Sequence, residues 1–275
     1  MRSDDFKKMF RVFTDSMDPK RILEVIEVQP QTESEKPVLS LPRSDYMERI
    51  HDVVVPEALQ NKLYTGISFV DDAWDGFTPG TVTAFTGTPG AGKTSLGLAI
   101  CDALAGQGQV CAFNSTEQAE GQIKVIADRL RLQNPFFVSN HADVDSTLTA
   151  AIDVQAEFLV VDSLQTMGLW VPKRKEKELS VGSPTTITAI LKKIILHAQE
   201  QECAVFLICQ MTRSGTIKGP RSIEHDTDIH GHLSHLKGQE HGTVRELLLK
   251  KNRYGPALAP YYLDYDGFSF REVSL

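Results

Sequence analysis

No apolar run in this 275-residue chain approaches the roughly 20 residues that a membrane-crossing helix needs, so no transmembrane helix is expected. The first residues, MRSDDFKKMFRVF, bring acids before any apolar stretch. A secretory leader is therefore not expected, and the chain reads as cytoplasmic. Cysteine is scarce: Cys101, Cys111, Cys203 and Cys209 are the whole set, with no CxxC pair. A zinc site has no support, and buried free thiols in a reducing compartment are expected. Positive charge is short as well. Lys and Arg total 29 against 36 Asp and Glu, a net charge of -7. A protein that binds nucleic acid with its whole surface is usually basic, so any DNA contact here has to be concentrated in a local loop or channel. No internal repeat is visible.

What is present is an ordinary globular composition, 41% hydrophobic and 24% charged, in a chain long enough for one large core and an appendage. Residues 1–28 read as a helical N-terminal arm. Phe6, Met9, Phe10 and Phe13 recur at helical spacing, and Pro19 follows Asp18 as a helix start. Residues 29–62, rich in Pro, Ser and Glu at first, read as a linker or extended segment. From residue 63 to 275 the texture is α/β. Strand-like runs such as GTVTAFTG, QVCAFNS, EFLVVDS and CAVFLICQ alternate with helical patterns such as KTSLGLAICDALAG and PTTITAILKKIILHAQEQ. Near-continuous apolar strands between helices indicate a mostly parallel sheet covered on both faces. The tail from Gly242 reads as strand, turn, strand, an antiparallel extension.

The strongest motif is Gly87-Thr88-Pro89-Gly90-Ala91-Gly92-Lys93-Thr94, followed by Ser95. It fits G-x-x-x-x-G-K-[ST] with a strand before it and a helix after. Glycines let backbone N–H groups converge on phosphates where side chains would collide, and the helix N-terminus adds positive dipole. Lys93 is expected to reach the β and γ phosphates of ATP, and Thr94 to place its hydroxyl on Mg²⁺. A second acid is needed for the metal. Asp162 supplies it at the end of EFLVV, where a buried strand emerges, and is expected to hold Mg²⁺ through water. Glu117, just past the next strand, is the candidate base for water; Glu120, inside the following helix, is its rival.

These residues, with VVDSLQTM (160–167), GTIKGPRSIEHDTD (215–228), KNRYGP (251–256) and the stretch 65–95, resemble the RecA-type ATPases, and RadA (Sms) in particular. The resemblance runs from about Tyr64 to Val273, with four motifs in the family's order. It implies a RecA-like P-loop ATPase core with Glu117 as catalytic glutamate. It also implies that Gln210 is a γ-phosphate sensor, and that Lys251 and Arg253 reach a neighbouring subunit's ATP. The stretch 65–95 reads as an entry strand leading into the phosphate loop. There are departures. RadA proteins carry an N-terminal four-cysteine zinc element and a C-terminal Lon-like domain, and neither pattern is present here. The segment ICQMTRSG is more like DnaB replicative helicases and RecA.

Two loops are expected to meet DNA. One follows Asp162 and carries Lys173, Arg174, Lys175 and Lys177 among acids, a pattern also consistent with a solvated face. The other carries Arg213, Lys218 and Arg221 with no acid. In RecA-type rings both loops face the central channel. The tract His225, His230, His232, His235 and His241 suggests exposed or hydrogen-bonded histidines before a metal site; the matching RadA segment is a loop leading into a strand. The resemblance implies an ATP-dependent oligomeric motor, a hexameric ring or a helical assembly, acting on single-stranded DNA in recombination, repair or replication. The alternatives are an ATP-switched helicase loader or mediator that binds a replication or recombination protein, and a KaiC-like ring that binds proteins.

Overall fold

The computed structural model describes residues 47–169, 180–212, 215–238, 242–255 and 259–274. The chain divides into two units, residues 1–53 and 54–275. Of the first unit only residues 47–53 are described, and they hold no helix or strand. The aromatic stripe of the N-terminal arm, the run 173–177, Arg213 and His241 all lie outside the described residues.

In the second unit the helices are α1 (Glu57–Gln60), α2 (Ser68–Trp74), α3 (Lys93–Gly106), α4 (Glu120–Leu130), α5 (Val144–Asp153), α6 (Pro184–Gln201) and α7 (Ser222–Asp226). The strands are β1 (Val82–Gly87), β2 (Cys111–Ser115), β3 (Phe137–Ser139), β4 (Phe158–Asp162) and β5 (Ala204–Ile208), then β6 (Ile229–His235), β7 (Val244–Asn252), β8 (Tyr261–Tyr265) and β9 (Phe270–Glu272). They form one sheet in the order β3-β2-β4-β5-β1-β6-β7-β8-β9. The first six strands in that order pair in parallel, and β7, β8 and β9 continue the sheet antiparallel.

The period-2 alternation of each central strand divides the core into two layers. Phe85, Phe113, Phe158, Val160, Phe206 and Ile208 face α3 and the buried Trp74 and Phe77. Val82, Ala84, Leu159, Val161, Val205 and Leu207 face α5 and α6. Both sides of β4 and β5 are therefore dry, which is why EFLVVDS and CAVFLICQ carry no polar alternation. Phe206 packs against Phe85 at 4.8 Å and against Phe77 edge-on at 6.1 Å between ring centroids. Truncating such a side chain to alanine costs about 3–5 kcal/mol. All four cysteines are buried and free, and burial pushes the Cys111, Cys203 and Cys209 thiols up to about 12.

Helix starts follow local chemistry. Asp143 caps α5 by accepting from the Ser146 amide, and Ser183 caps α6 by accepting from the Thr186 amide, with Pro184 at the first helical position. One sequence expectation is corrected. Residues 65–80 are not an entry strand: Ser68–Trp74 form α2, whose Phe69, Val70, Ala73 and Trp74 sit at helical spacing and are buried. Asp71 holds its start together, accepting from the Thr65 hydroxyl and the amides of Thr65 and Gly66. The histidine tract runs from the short helix α7, which holds His225, into a strand. His230, His232 and His235 lie on β6, paired in parallel with β1.

Candidate nucleotide site

The carboxyl ends of the parallel strands finish together. Asp162 pairs with Ser115 of β2 on one side and with Ile208 of β5 on the other, and Ile208 pairs with Phe85 of β1. In open α/β sheets this edge is where ligands bind. An open cavity of about 630 Å³ lies there, lined by Gly87, Gly90, Lys93, Glu117, Asp162 and Gln210 among others.

The loop from β1 to α3 has the shape of an anion cradle. A Cβ on Gly87 would stand 2.2 Å from the Leu233 carbonyl oxygen, so only glycine lets β1 turn against β6 here. Gly92 has φ 105°, and a Cβ there would strike the Phe270 ring at 2.8 Å. Among the described residues, the amides of Gly90, Gly92, Lys93 and Thr94 donate to no backbone carbonyl. They are the free donors that a helix start presents to an anion. Lys93 Nζ donates back to the carbonyls of Gly87 and Thr88, at 3.1 and 3.2 Å. Burial lowers the Lys93 pKa, against the opposing pull of the Asp162 and Glu117 charges. The Thr88 hydroxyl is buried without a partner. Open donors and a cation turned on itself fit the phosphates of a nucleotide.

Thr94 Oγ1 donates to Asp162 Oδ2 at 2.6 Å. Burial raises the Asp162 carboxyl to about 6; the Thr94 bond and the Lys93 charge oppose this rise, and the Glu117 charge adds to it. A hydroxyl and a buried carboxylate side by side, both oxygen ligands, fit Mg²⁺. Across the cavity Glu117 Oε1 accepts from Ser163 Oγ at 2.5 Å and from Gln210 Nε2 at 2.7 Å. Glu120 lies outside this cavity. It starts α4 and lines a different groove with Ile123 and Lys124.

Three side chains in or beside the site carry no motif in the sequence. Tyr265 lines the cavity, donates or accepts a 2.8 Å bond with Ser95 Oγ, and stacks on Phe270 at 4.3 Å between centroids. Arg245, buried on β7, lies 5.6 Å over the Tyr265 ring, and its Nε donates to the Ala91 carbonyl. Arg129 of α4 lines the same cavity. Only the aromatic spacing of YYLDYDGFSF hinted at any of this.

Lys251 and Arg253 are elsewhere. Ile229 pairs with Thr83 on one side and Asn252 on the other, while Leu233 pairs with Gly87 and Leu247. The end of β7 therefore lies four residues along the sheet from Gly87, roughly 13 Å. Lys251 Nζ donates to the carbonyls of Glu224, His225 and Thr227. Arg253 bonds Asp228 Oδ1 at 3.0 Å and the His225 carbonyl at 2.9 Å. Neither lines the cavity of its own chain. Lys218 and Arg221 are exposed, and no carboxylate among the described residues pairs with either.

The histidines of β6 are structural neighbours of the loop. Thr86 Oγ1 lies 2.9 Å from both His230 Nε2 and His232 Nδ1. Burial, with the nearby Lys250 charge, holds both rings down at about 4. Among the described residues no cluster of His, Cys, Asp and Glu has the make-up of a metal site. No helix among them is long and apolar enough to cross a membrane.

A mostly parallel sheet with a phosphate loop after its central strand, and an antiparallel run beyond it, defines a RecA-type P-loop ATPase core. Two solved structures share the fold. A KaiC-like protein from Pyrococcus horikoshii superposes with a TM-score of 0.63 at 17% identity, covering 78% of this chain and 99% of that one. A second, itself an ATPase domain, gives 0.64 at 16% identity over 79% and 93%. The sequence narrows the class: this is a RadA-like core. DNA repair protein RadA of Mycobacterium tuberculosis is 32% identical over 197 residues, 70% of this chain. RadA of Streptococcus pyogenes is 32% identical over 181 residues, 66% of it. The chain spans 39% of the length of the mycobacterial protein and 38% of the streptococcal one. No family model matches the chain.

Proposed function

We propose that this chain hydrolyses ATP and works as an oligomeric motor on single-stranded DNA in recombination, repair or replication. One observation carries the reading: Gln210 bonds Glu117 in the nucleotide cavity and is also the first residue of the segment that bears Lys218 and Arg221. A side chain placed there can sense the occupied cavity and shift a basic loop. In this reading the amides of residues 90–94 and Lys93 bind the phosphates. Thr94 and Asp162 hold Mg²⁺, which when bound draws charge from the phosphate oxygens. Glu117, held by Ser163 and Gln210, orients water and takes its proton. Tyr265 and Arg129 add to the wall of the same cavity. Lys251 and Arg253, remote from their own phosphate loop, act on the ATP of an adjacent subunit in a ring or helical assembly.

The loop makes the test. Each phosphate neutralised on a single strand contributes roughly -0.7 to the slope of log affinity against log salt. Replacing Arg213, Lys218 and Arg221 together by alanine should flatten that slope by about 2 per engaged subunit and abolish DNA stimulation, with ATP binding retained. Wild-type affinity and slope in the triple variant would remove this loop as the DNA site and leave the 173–177 run. Hydrolysis indifferent to DNA in the unaltered protein would favour the protein-binding ring instead.

A further inference from the structure

Gln165 lies in the 3-10 turn Leu164–Thr166 that follows β4, and its side chain is 3% exposed. Both ends of its amide are used on one segment of chain. Oε1 accepts from the Gln210 amide at 2.7 Å, and Nε2 donates to the Lys218 carbonyl at 2.8 Å. The same two residues are joined directly, since the Lys218 amide donates to the Gln210 carbonyl at 2.9 Å. Met211 bridges Ile217, and the Thr212 amide donates to the Thr216 carbonyl. Residues 210–212 and 216–218 are therefore paired side by side as in a short hairpin, and Gln165 is the rivet through its base. At that base the Gln210 side chain reaches Glu117.

We infer that Gln165 is a positioning residue that makes the basic loop follow the nucleotide cavity, by tying the backbones of Gln210 and Lys218 to the turn after Asp162. The chemistry is specific to an amide. One group must accept from the Gln210 N–H and donate to the Lys218 C=O at once, away from water, and the Gln165 amide does so from two separate atoms with fixed roles. A hairpin held only by its own bonds could hinge at residue 210, and movement of the Gln210 side chain would then be absorbed there. With Gln165 in place, the two strands of the hairpin move with the β4 turn as one body. This rests on the reading of the loop as the DNA contact and extends it to the control of that contact.

Two variants separate the halves of the rivet. Gln165→Met keeps length and removes both bonds. Gln165→Glu keeps the acceptor for the Gln210 amide and sets an oxygen against the Lys218 carbonyl. Both should retain basal turnover and KM for ATP within about threefold, while DNA stimulation falls about tenfold, the scale of an ordinary two-site coupling. A second readout needs no DNA. In the unaltered protein a non-hydrolysable ATP analogue should slow hydrogen exchange in the peptide spanning residues 208–218. In both variants the analogue should still bind and that slowing should be lost. Full DNA stimulation in either variant, or an unchanged exchange response, would overturn the inference. So would parallel loss of thermal stability, ATP binding and basal turnover, which marks Gln165 as mere packing. If the variants do not fold, the absence of any exchange response in the unaltered protein overturns it equally. An unaltered protein that shows the exchange response yet ignores DNA would sink the DNA reading and leave the mechanical link standing.

Discussion

Glu117→Gln is the substitution that isolates the proposed base from everything around it. The glutamine amide has the size of the carboxylate, and its oxygen can still accept from Ser163 Oγ and Gln210 Nε2, which now lie 2.5 and 2.7 Å from Glu117 Oε1. The cavity wall should survive, and ATP affinity should stay within about threefold. What is lost is the ability to take a proton. Removing a general base slows reactions by roughly 10² to 10⁴. At about 1.36 kcal/mol per tenfold, the lower bound is ~2.7 kcal/mol added to the barrier. The assay is phosphate release at saturating ATP and Mg²⁺, paired with separate titration of an ATP analogue. Glu120→Gln is the control, because Glu120 faces the groove beside Ile123 and Lys124. Turnover within tenfold of wild type for Glu117→Gln, or an equal loss in Glu120→Gln, would refute the assignment.

Two further outcomes follow from the same geometry. Arg253 cannot serve its own phosphate loop from the far end of β7, so mixing Arg253→Ala with Lys93→Ala protein should restore part of the activity that each lacks alone. Subunit-exchanging mixtures that stay inactive would count against action across a subunit boundary. The second concerns pH in the nucleotide-free protein. Asp162, raised to about 6, contributes stability that is full below about 3.8 and lost as pH rises through 6. His230 and His232, held at about 4, contribute stability that is full above 6.5 and lost as pH falls towards 4. The two effects oppose each other between pH 4 and 6. Asp162→Asn removes one of them, so its melting temperature should drop more steeply than that of wild type on acidification from 6.5. An equal or shallower drop in calorimetry would show that the buried carboxyl does not take up its proton in that range.

Much of this molecule is legible in its order of residues. The phosphate loop, the strand ending at Asp162 and the alternation of apolar strands with helices depend on local chemistry: which backbones can turn, which runs have no polar face to show water. The parallel sheet followed from them, and the helix limits of α3 and α6 lie close to the sequence pattern. Other features exist only because distant segments meet. β6 carries histidine and glycine in place of an apolar run; it is held as a strand by pairing with β1, where Thr86 occupies both His230 and His232 and Gly231 admits the rings of Phe85 and Trp74. α2 was masked by its brevity, and its apolar face has meaning only against the sheet. Tyr265 and Arg245 reach the phosphate loop and the start of α3 from strands more than 150 residues further along the chain. Gln165 looks like any polar residue after a strand until the chain returns at Gln210 and Lys218 to meet both ends of its amide. A sequence declares what neighbours along the chain do to one another; register, burial and shared hydrogen bonds are properties of pairs, and tertiary packing alone chooses the pairs.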